Sequence, residues 1–173
     1  VLDNPLIEKG YGSTSFDSEG VACFNKSVVE KGILKTYLYN LKSAKKDGVK
    51  STGNGFKGGF KGSIGTNVTN FYIENGKTDF NEMIKNVSNG IFIKELSGLH
   101  AGVNGISGDF SLLAEGFLIE NGKITTPVEQ ITIAGNYFEM MKNIKDLAND
   151  LKFSTSGVGS PSIFVGELDI AGE

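Results

Sequence analysis

Phe117-Leu118-Ile119-Glu120-Asn121-Gly122-Lys123-Ile124 is the stretch from which the fold is read. Aromatic and β-branched residues suit a half-buried pleated surface, and Asn-Gly between two apolar runs tolerates the positive φ of a tight primed turn. The segment is therefore expected to be a β-hairpin. Val28-Val29-Glu30-Lys31-Gly32-Ile33-Leu34 and Phe71-Tyr72-Ile73-Glu74-Asn75-Gly76-Lys77 repeat the design, each a strand, a turn and the start of a return strand. Further strands are expected over residues 90–96, 126–134 and 161–168, at spacings too unequal for a solenoid.

Helical signals are fewer. Asp79 stands as a cap ahead of Phe80, Met83, Ile84 and Val87, which fall three or four apart, and Asn89-Gly90 follows as the expected C-cap. After Asn136, the residues Phe138, Met141, Ile144, Ala148 and Leu151 share one stripe, with Lys142, Lys145 and Asp146 off it. A third helix is expected over residues 38–47, before Gly48. Helices set singly between groups of strands, without regular βα alternation, place the chain in the α+β class. The expected architecture is one β-rich domain over residues 1–173, made of antiparallel hairpins with two or three helices.

Composition narrows the function. All 17 basic residues are lysine, so the chain has no bidentate fork for phosphate or guanine, and the net charge of −3 with a pI near 5.3 opposes binding to a polyanion. Nucleic acid is not expected as a partner. No apolar run is long enough to span a membrane, and no basic-then-apolar leader opens the chain. The single Cys23, in Val21-Ala22-Cys23-Phe24, rules out an intrachain disulfide and reads as a small half-buried apolar residue. A cytoplasmic location is expected. The opening on Val1 rather than methionine is read as a piece of something longer.

Candidate chemistry gathers in two glycine-rich loops. Over residues 98–111, glycines at 98, 102, 105 and 108 surround His100, Asn104, Ser107, Asp109 and Ser111. Glycine there implies positive φ or close backbone approach, so Gly105 and Gly108 are expected to serve a ligand's approach rather than core packing. His100 with Ser107, Asp109 or Ser111 has the residue types of a nucleophilic triad, but sequence supplies no geometry for one. One histidine and one cysteine far apart do not make a zinc site. No catalytic residue and no metal ligand is assigned. The second loop, residues 53–65, opens on Gly53-Asn54-Gly55-Phe56-Lys57-Gly58, which has the letters of a dinucleotide fingerprint. No helix can start at Gly59-Phe60-Lys61-Gly62, so the pyrophosphate would have no helix N-terminus to rest on. The interleaving of Phe56 and Phe60 with Lys57 and Lys61 resembles single-strand binders, against which stands a surface loop on an acidic chain.

These residues resemble the PmbA/TldD family of metallopeptidases, also called TldE/TldD and modulators of DNA gyrase. The resemblance rests on Gly102-Val103-Asn104, Ser107-Gly108-Asp109-Phe110-Ser111, the hairpin over residues 116–124 and Pro127-Val128-Glu129-Gln130-Ile131-Thr132-Ile133-Ala134-Gly135-Asn136. Asn149-Asp150-Leu151, Gly157-Val158-Gly159-Ser160-Pro161-Ser162, Ser51-Thr52-Gly53-Asn54 and Phe16-Asp17-Ser18-Glu19-Gly20 add to it. It implies a C-terminal domain of a longer protein in a cytoplasmic two-subunit zinc peptidase, whose TldD-type subunit carries a His-Glu-x-x-x-His helix and a later cysteine. Where that cysteine is expected, this chain has Ser160-Pro161-Ser162, so it resembles the PmbA/TldE-type subunit without metal, paired with a TldD-type subunit or with itself. Lys57 and Lys61 stand where the family pattern has arginine and proline.

Two functional readings follow. In one, the domain helps form a groove for unfolded peptide and a subunit interface, with Gly53, Asn54, Lys57 and Lys61 from one loop and His100, Asn104, Ser107, Asp109 and Ser111 from the other. In the alternative, it is a binding module for DNA gyrase or nucleic acid.

Overall fold

Two-residue strands are the building blocks of the first of two compact units formed in the computed structural model, which describes residues 1–172. The architecture is α+β and strand-rich, as expected from the sequence. One unit comprises Val1–Glu74 with Leu151–Pro161, and the other Asn75–Asp150 with the chain from Ser162 onward.

In the first unit a five-stranded sheet has the order Lys152–Phe153, Val158–Ser160, Phe71–Tyr72, Leu2–Asp3, Lys26–Ser27. Its neighbours run antiparallel except for Val158–Ser160, which lies parallel to Phe71–Tyr72. Two hairpins stand apart from it. Val29–Glu30 pairs with Ile33–Leu34 through the expected turn, Lys31 at φ 50° and Gly32 at φ 76°. Helix α1, Leu41–Asp47, is closed at both ends by local chemistry. Asn40 accepts from the Ser43 N–H while the Ser43 hydroxyl accepts from the Asn40 N–H, and Gly48 ends the helix in the left-handed conformation.

Strands this short present few side chains to an interior, and polar groups fill much of it beside Pro5, Cys23, Val28 and Ala44. Asp3 is fully buried, and both its oxygens are occupied. Oδ1 accepts from the Thr69 N–H and hydroxyl, each at 2.7 Å, while Oδ2 accepts from Asn54 Nδ2 at 2.7 Å and from Lys26 Nζ at 3.2 Å. Asn54 accepts in turn from the Thr52 hydroxyl, which itself accepts from the Tyr39 N–H. A buried charge is tolerated where partners surround it on this scale.

The second unit rests on long strands. Its sheet has the order Asp169–Ala171, Lys123–Asn136, Asp109–Glu120, Gly90–Ser97, all antiparallel. Asn121 (φ 50°) and Gly122 (φ 72°) make the turn read from the sequence, with Glu120 opposite Lys123. Side chains alternate along Asp109–Glu120: Leu112 and Ala114 point inward with Ile131 and Ile133 of the next strand, while Ser111, Leu113 and Glu115 face out. Ile91, Ile93, Phe110, Val128 and Leu168 extend that core. Helix α2, Phe80–Val87, is capped by Asp79, buries Met83 and Ile84, and sets Phe80 edge-on to Phe92 at 5.2 Å. Gly122 N–H donates to the Ser88 carbonyl at 2.8 Å, which seats the hairpin turn on the end of α2.

The structure corrects several expectations. Asn75-Gly76 makes no hairpin: Phe71–Tyr72 pairs with Leu2–Asp3 and Val158–Gly159. A Cβ at Gly76 would strike the Leu147 carbonyl, so this glycine serves close backbone approach. Helix α2 ends at Ser88 (φ 62°), leaving Gly90 to begin a strand. The helix after Asn136, α3, covers only Tyr137–Lys142, and Ala148 is instead a buried residue bridged to Thr78. Residues 161–168 contribute a strand only at Ile163–Phe164. Residues 53–65 are not simply a loop, because Gly55–Lys57 pairs with Ile64–Thr66.

Candidate functional site

The 98–111 loop is laced to the strand that follows it. Ala101 and Gly102 N–H groups donate to the Gly98 carbonyl, Ser111 N–H to Gly102, Asn104 N–H to Asp109 and Gly108 N–H to Asn104, all at 2.8–3.0 Å. The Asn104 side chain accepts from the Ile106 and Ser107 N–H groups, an Asx turn that fixes the loop tip. Ile106, at that tip, is 94% exposed. The loop surrounds an open depression of about 660 Å³ lined by Gly102, Asn104, Gly105, Ile106, Asp109 and Ser111 among others.

Asp109 is the ordered charge of this site. Its Oδ2 accepts from the Ser107 hydroxyl at 2.7 Å and its Oδ1 from Asn136 Nδ2 at 2.8 Å. These two hydrogen bonds, Asn136 first, hold the carboxyl below its usual range. Asn136 also donates to the Ser107 carbonyl and caps α3, accepting from the Phe138 and Glu139 N–H groups. One amide therefore ties the loop to the helix start.

His100 sits exposed in the turn after Gly98 and, among the described residues, makes no hydrogen bond to Ser107, Asp109 or Ser111. The Ser107–Asp109 contact lacks an interposed imidazole, so it cannot work as a relay. Gly105 has open space around it, whereas Gly108, at φ 83°, would drive a Cβ into the Phe138 ring. Gly108 is thus a packing residue, contrary to the sequence expectation.

The 53–65 segment lies in the other unit and divides into a base and a tip. At the base, Gly53 has φ 71°, with the Ala22 carbonyl where a Cβ would stand, and its own carbonyl accepts from Cys23 Sγ at 3.1 Å. Asn54 is 0% exposed and bound to Asp3, so its side chain offers nothing to a surface ligand. Asp17 secures the same base through the Gly55 N–H. Lys57 and Lys61 are exposed on the tip, beside a Phe60 that is 93% exposed. Cys23 is buried, more fully than the half-burial expected from the sequence, and burial pushes its thiol up.

No three or more His, Cys, Asp or Glu side chains among the described residues are grouped to hold a metal ion. The described donors of this chain do not by themselves supply the three protein ligands that zinc takes. The 98–111 loop presents an open depression, an anchored carboxylate and an exposed apolar tip. The sequence reading missed Asp3, Thr69 and Asn70, because buried polar residues carry no periodicity.

The profile of the PmbA/TldA metallopeptidase C-terminal domain matches residues 1–172. Metalloprotease PmbA of Escherichia coli O157:H7 is 39% identical over 173 residues, all of this chain and 36% of that protein. The Metalloprotease TldD homolog of Buchnera aphidicola subsp. Acyrthosiphon pisum is 33% identical, over 99% of this chain and 38% of its own length. Among solved structures, a Thermotoga maritima MSB8 protein bearing the name modulator of a DNA gyrase superposes with a TM-score of 0.88 at 45% identity, covering 98% of this chain and 38% of that one. TldE from Thermococcus kodakarensis gives a TM-score of 0.88 at 28% identity, covering 99% and 39%. The chain spans little more than a third of the length of these relatives, and it belongs to the PmbA/TldA metallopeptidase family as its C-terminal domain.

Proposed function

We propose that this chain is the C-terminal domain of a PmbA/TldE-type subunit in a cytoplasmic two-subunit zinc peptidase, where it binds unfolded peptide and helps form the subunit interface. The observation that carries the reading is the open depression lined by residues 101–106 and 109–111, whose loop follows directly on Gly90–Ser97, the terminal strand of its sheet. An extended peptide paired with main chain gains hydrogen bonds without much demand on its sequence, which suits a peptidase acting on unfolded segments. His100, Asn104, Ser107, Asp109 and Ser111 are the residues assigned to peptide contact there, with Lys57 and Lys61 as exposed contacts on the other unit. Gly53 and Asn54 support the 53–65 segment from within.

Zinc belongs, in this reading, to a TldD-type partner, and the pair rather than this subunit alone cleaves peptide; a homodimer is the other assembly to be tested. The experiment is to purify the full-length protein alone and with a TldD-type partner, then measure zinc by elemental analysis and cleavage of an unfolded peptide. Cleavage by the pair, with zinc on the partner only, is the expected result. Cleavage by this protein alone with one tightly held zinc per chain would overturn it.

The second reading, a module for gyrase or nucleic acid, draws on the exposed Phe60, Lys57 and Lys61. The net charge of −3 and the absence of arginine oppose it. Fluorescence anisotropy near physiological salt should find no sub-micromolar duplex DNA complex that depends on those lysines.

A further inference from the structure

A second cleft, of about 300 Å³, lies wholly within the first unit between residues 7–11 and residues 153–155. Its large apolar and aromatic side chains are Ile7, Tyr11, which is 76% exposed, and Phe153, 43% exposed, with Ser154 and Thr155 following on the same wall. Its floor is rigid. Buried Asn70 accepts from the Gly12 N–H at 2.8 Å and donates to the Asn4 carbonyl and the Ser13 hydroxyl, pinning the 7–13 loop to the sheet. Gly12 and Gly157 lie against the Thr69 carbonyl with no room for a Cβ. Glu8 and Lys9, both exposed, add one formal charge of each sign to the lining.

Phe153 also belongs to Lys152–Phe153, the terminal strand of the five-stranded sheet. Ser154 donates its N–H across to Val158, so Phe153, one residue earlier, turns its own N–H and C=O toward the open edge. The Phe153 ring packs over Gly159 and edge-on to Tyr72 at 5.2 Å, which holds the cleft wall in place. A chain added at this edge would set the residue opposite Phe153 on the same face, within cross-strand distance of the ring.

We propose that the Tyr11–Phe153 cleft is a subsite for one large apolar or aromatic side chain of an extended peptide that pairs with the Lys152–Phe153 edge. This rests on the reading of the protein as a peptide-binding subunit and adds to it a side-chain preference at a site within the first unit. The site selects by burial in a preformed slot, which separates phenylalanine or leucine from alanine by about tenfold in affinity.

The test uses the full-length protein with its partner and blocked, fluorescein-labelled hexapeptides that differ only in a central phenylalanine, leucine, alanine or aspartate. Anisotropy titration should give about tenfold tighter binding for phenylalanine over alanine. Tyr11→Ala, at an exposed position, should reduce that ratio below about twofold with unchanged thermal unfolding, and Phe153→Leu should narrow the phenylalanine-to-leucine ratio. Equal binding of all four peptides by the unaltered protein would overturn the subsite and leave peptide binding standing. A preference that survives in both variants would place the selecting pocket elsewhere. No binding of any peptide would overturn both the subsite and the reading it rests on.

Discussion

The two units differ in the balance of side chains they bury. The first encloses Asp3, Asp17, Lys26, Asn40, Thr52, Asn54, Thr69 and Asn70 alongside the apolar Pro5, Cys23, Val28 and Ala44, while Met83, Ile84, Leu112, Ala114, Ile119, Ile131, Ile133 and Ala148 are buried in the second. Strand length accounts for the difference. A two-residue strand turns about one side chain inward, so the first unit is held by hydrogen bonds that run from loop to loop. The 12- and 14-residue strands of the second unit present whole apolar faces. A hydrogen-bonded interior is directional and fixes loops in one geometry, whereas an apolar face tolerates change if volume is kept.

That contrast predicts where single substitutions do most damage. Asp3→Ala removes the acceptor for Thr69, Asn54 and Lys26 together and leaves a buried ammonium unpaired, a loss of about 3–5 kcal/mol. Urea denaturation of the full-length protein should show it as the least stable variant. The near-isosteric Asp3→Asn should still cost about 2 kcal/mol or more, because the charge that Lys26 needs is gone. In the second unit Ile133→Ala should cost about 3 kcal/mol and Ile133→Val only about 1 kcal/mol, since the methyls removed leave cavities of different size. If Asp3→Asn were as mild as Ile133→Val, the directional account of the first unit would fail.

How much of this was legible in the sequence follows from the range of the interactions. The Asn121-Gly122 turn was readable because its determinants are adjacent: two residues at positive φ between apolar runs. Asn75-Gly76 has the same letters and a different fate, decided by the passage of Leu147 beside Gly76. The stripe after Asn136 has helical period, yet the chain leaves the helix at Asn143 and buries Ala148 elsewhere. Partners of Asp3 lie 23, 51 and 66 positions away, beyond any periodic pattern. For the candidate site, glycine spacing located the 98–111 loop. It did not reveal that Gly108 packs on Phe138 while Gly105 faces open space.

Asn136 offers a smaller test, because it joins the two kinds of cohesion at one residue of the apolar sheet. Asn136→Ala removes a helix cap and two donors to the loop, and should cost about 1 kcal/mol. It also changes the response to acid. Asp109 has its folded pKa below the ordinary 3.8, so the folded state binds fewer protons there than the unfolded one. Its stabilising contribution is present above that value and is lost as pH falls through the folded pKa. Without Asn136 the larger cause of the shift disappears, and stability measured across the acid range should fall less steeply than in the unaltered protein. An unchanged acid profile would mean that the Asn136–Asp109 hydrogen bond does not order the loop in solution.

The smallest effect on folding, and the most telling for function, is expected at Gly105. Nothing lies within 4 Å of a Cβ built there, so Gly105→Val should change stability by no more than about 0.5 kcal/mol. Gly108→Val is its contrast, forcing a branched side chain at φ 83° into the Phe138 ring, and should destabilise the unit visibly. Because Gly105 lines the depression, the valine occupies space assigned to peptide. Under the proposed function, peptide cleavage by the full-length protein paired with a TldD-type subunit should fall about tenfold, equivalent to about 1.4 kcal/mol of lost binding. Full cleavage by a normally stable Gly105→Val protein would move the peptide contact away from residues 98–111 and leave the second unit as scaffold.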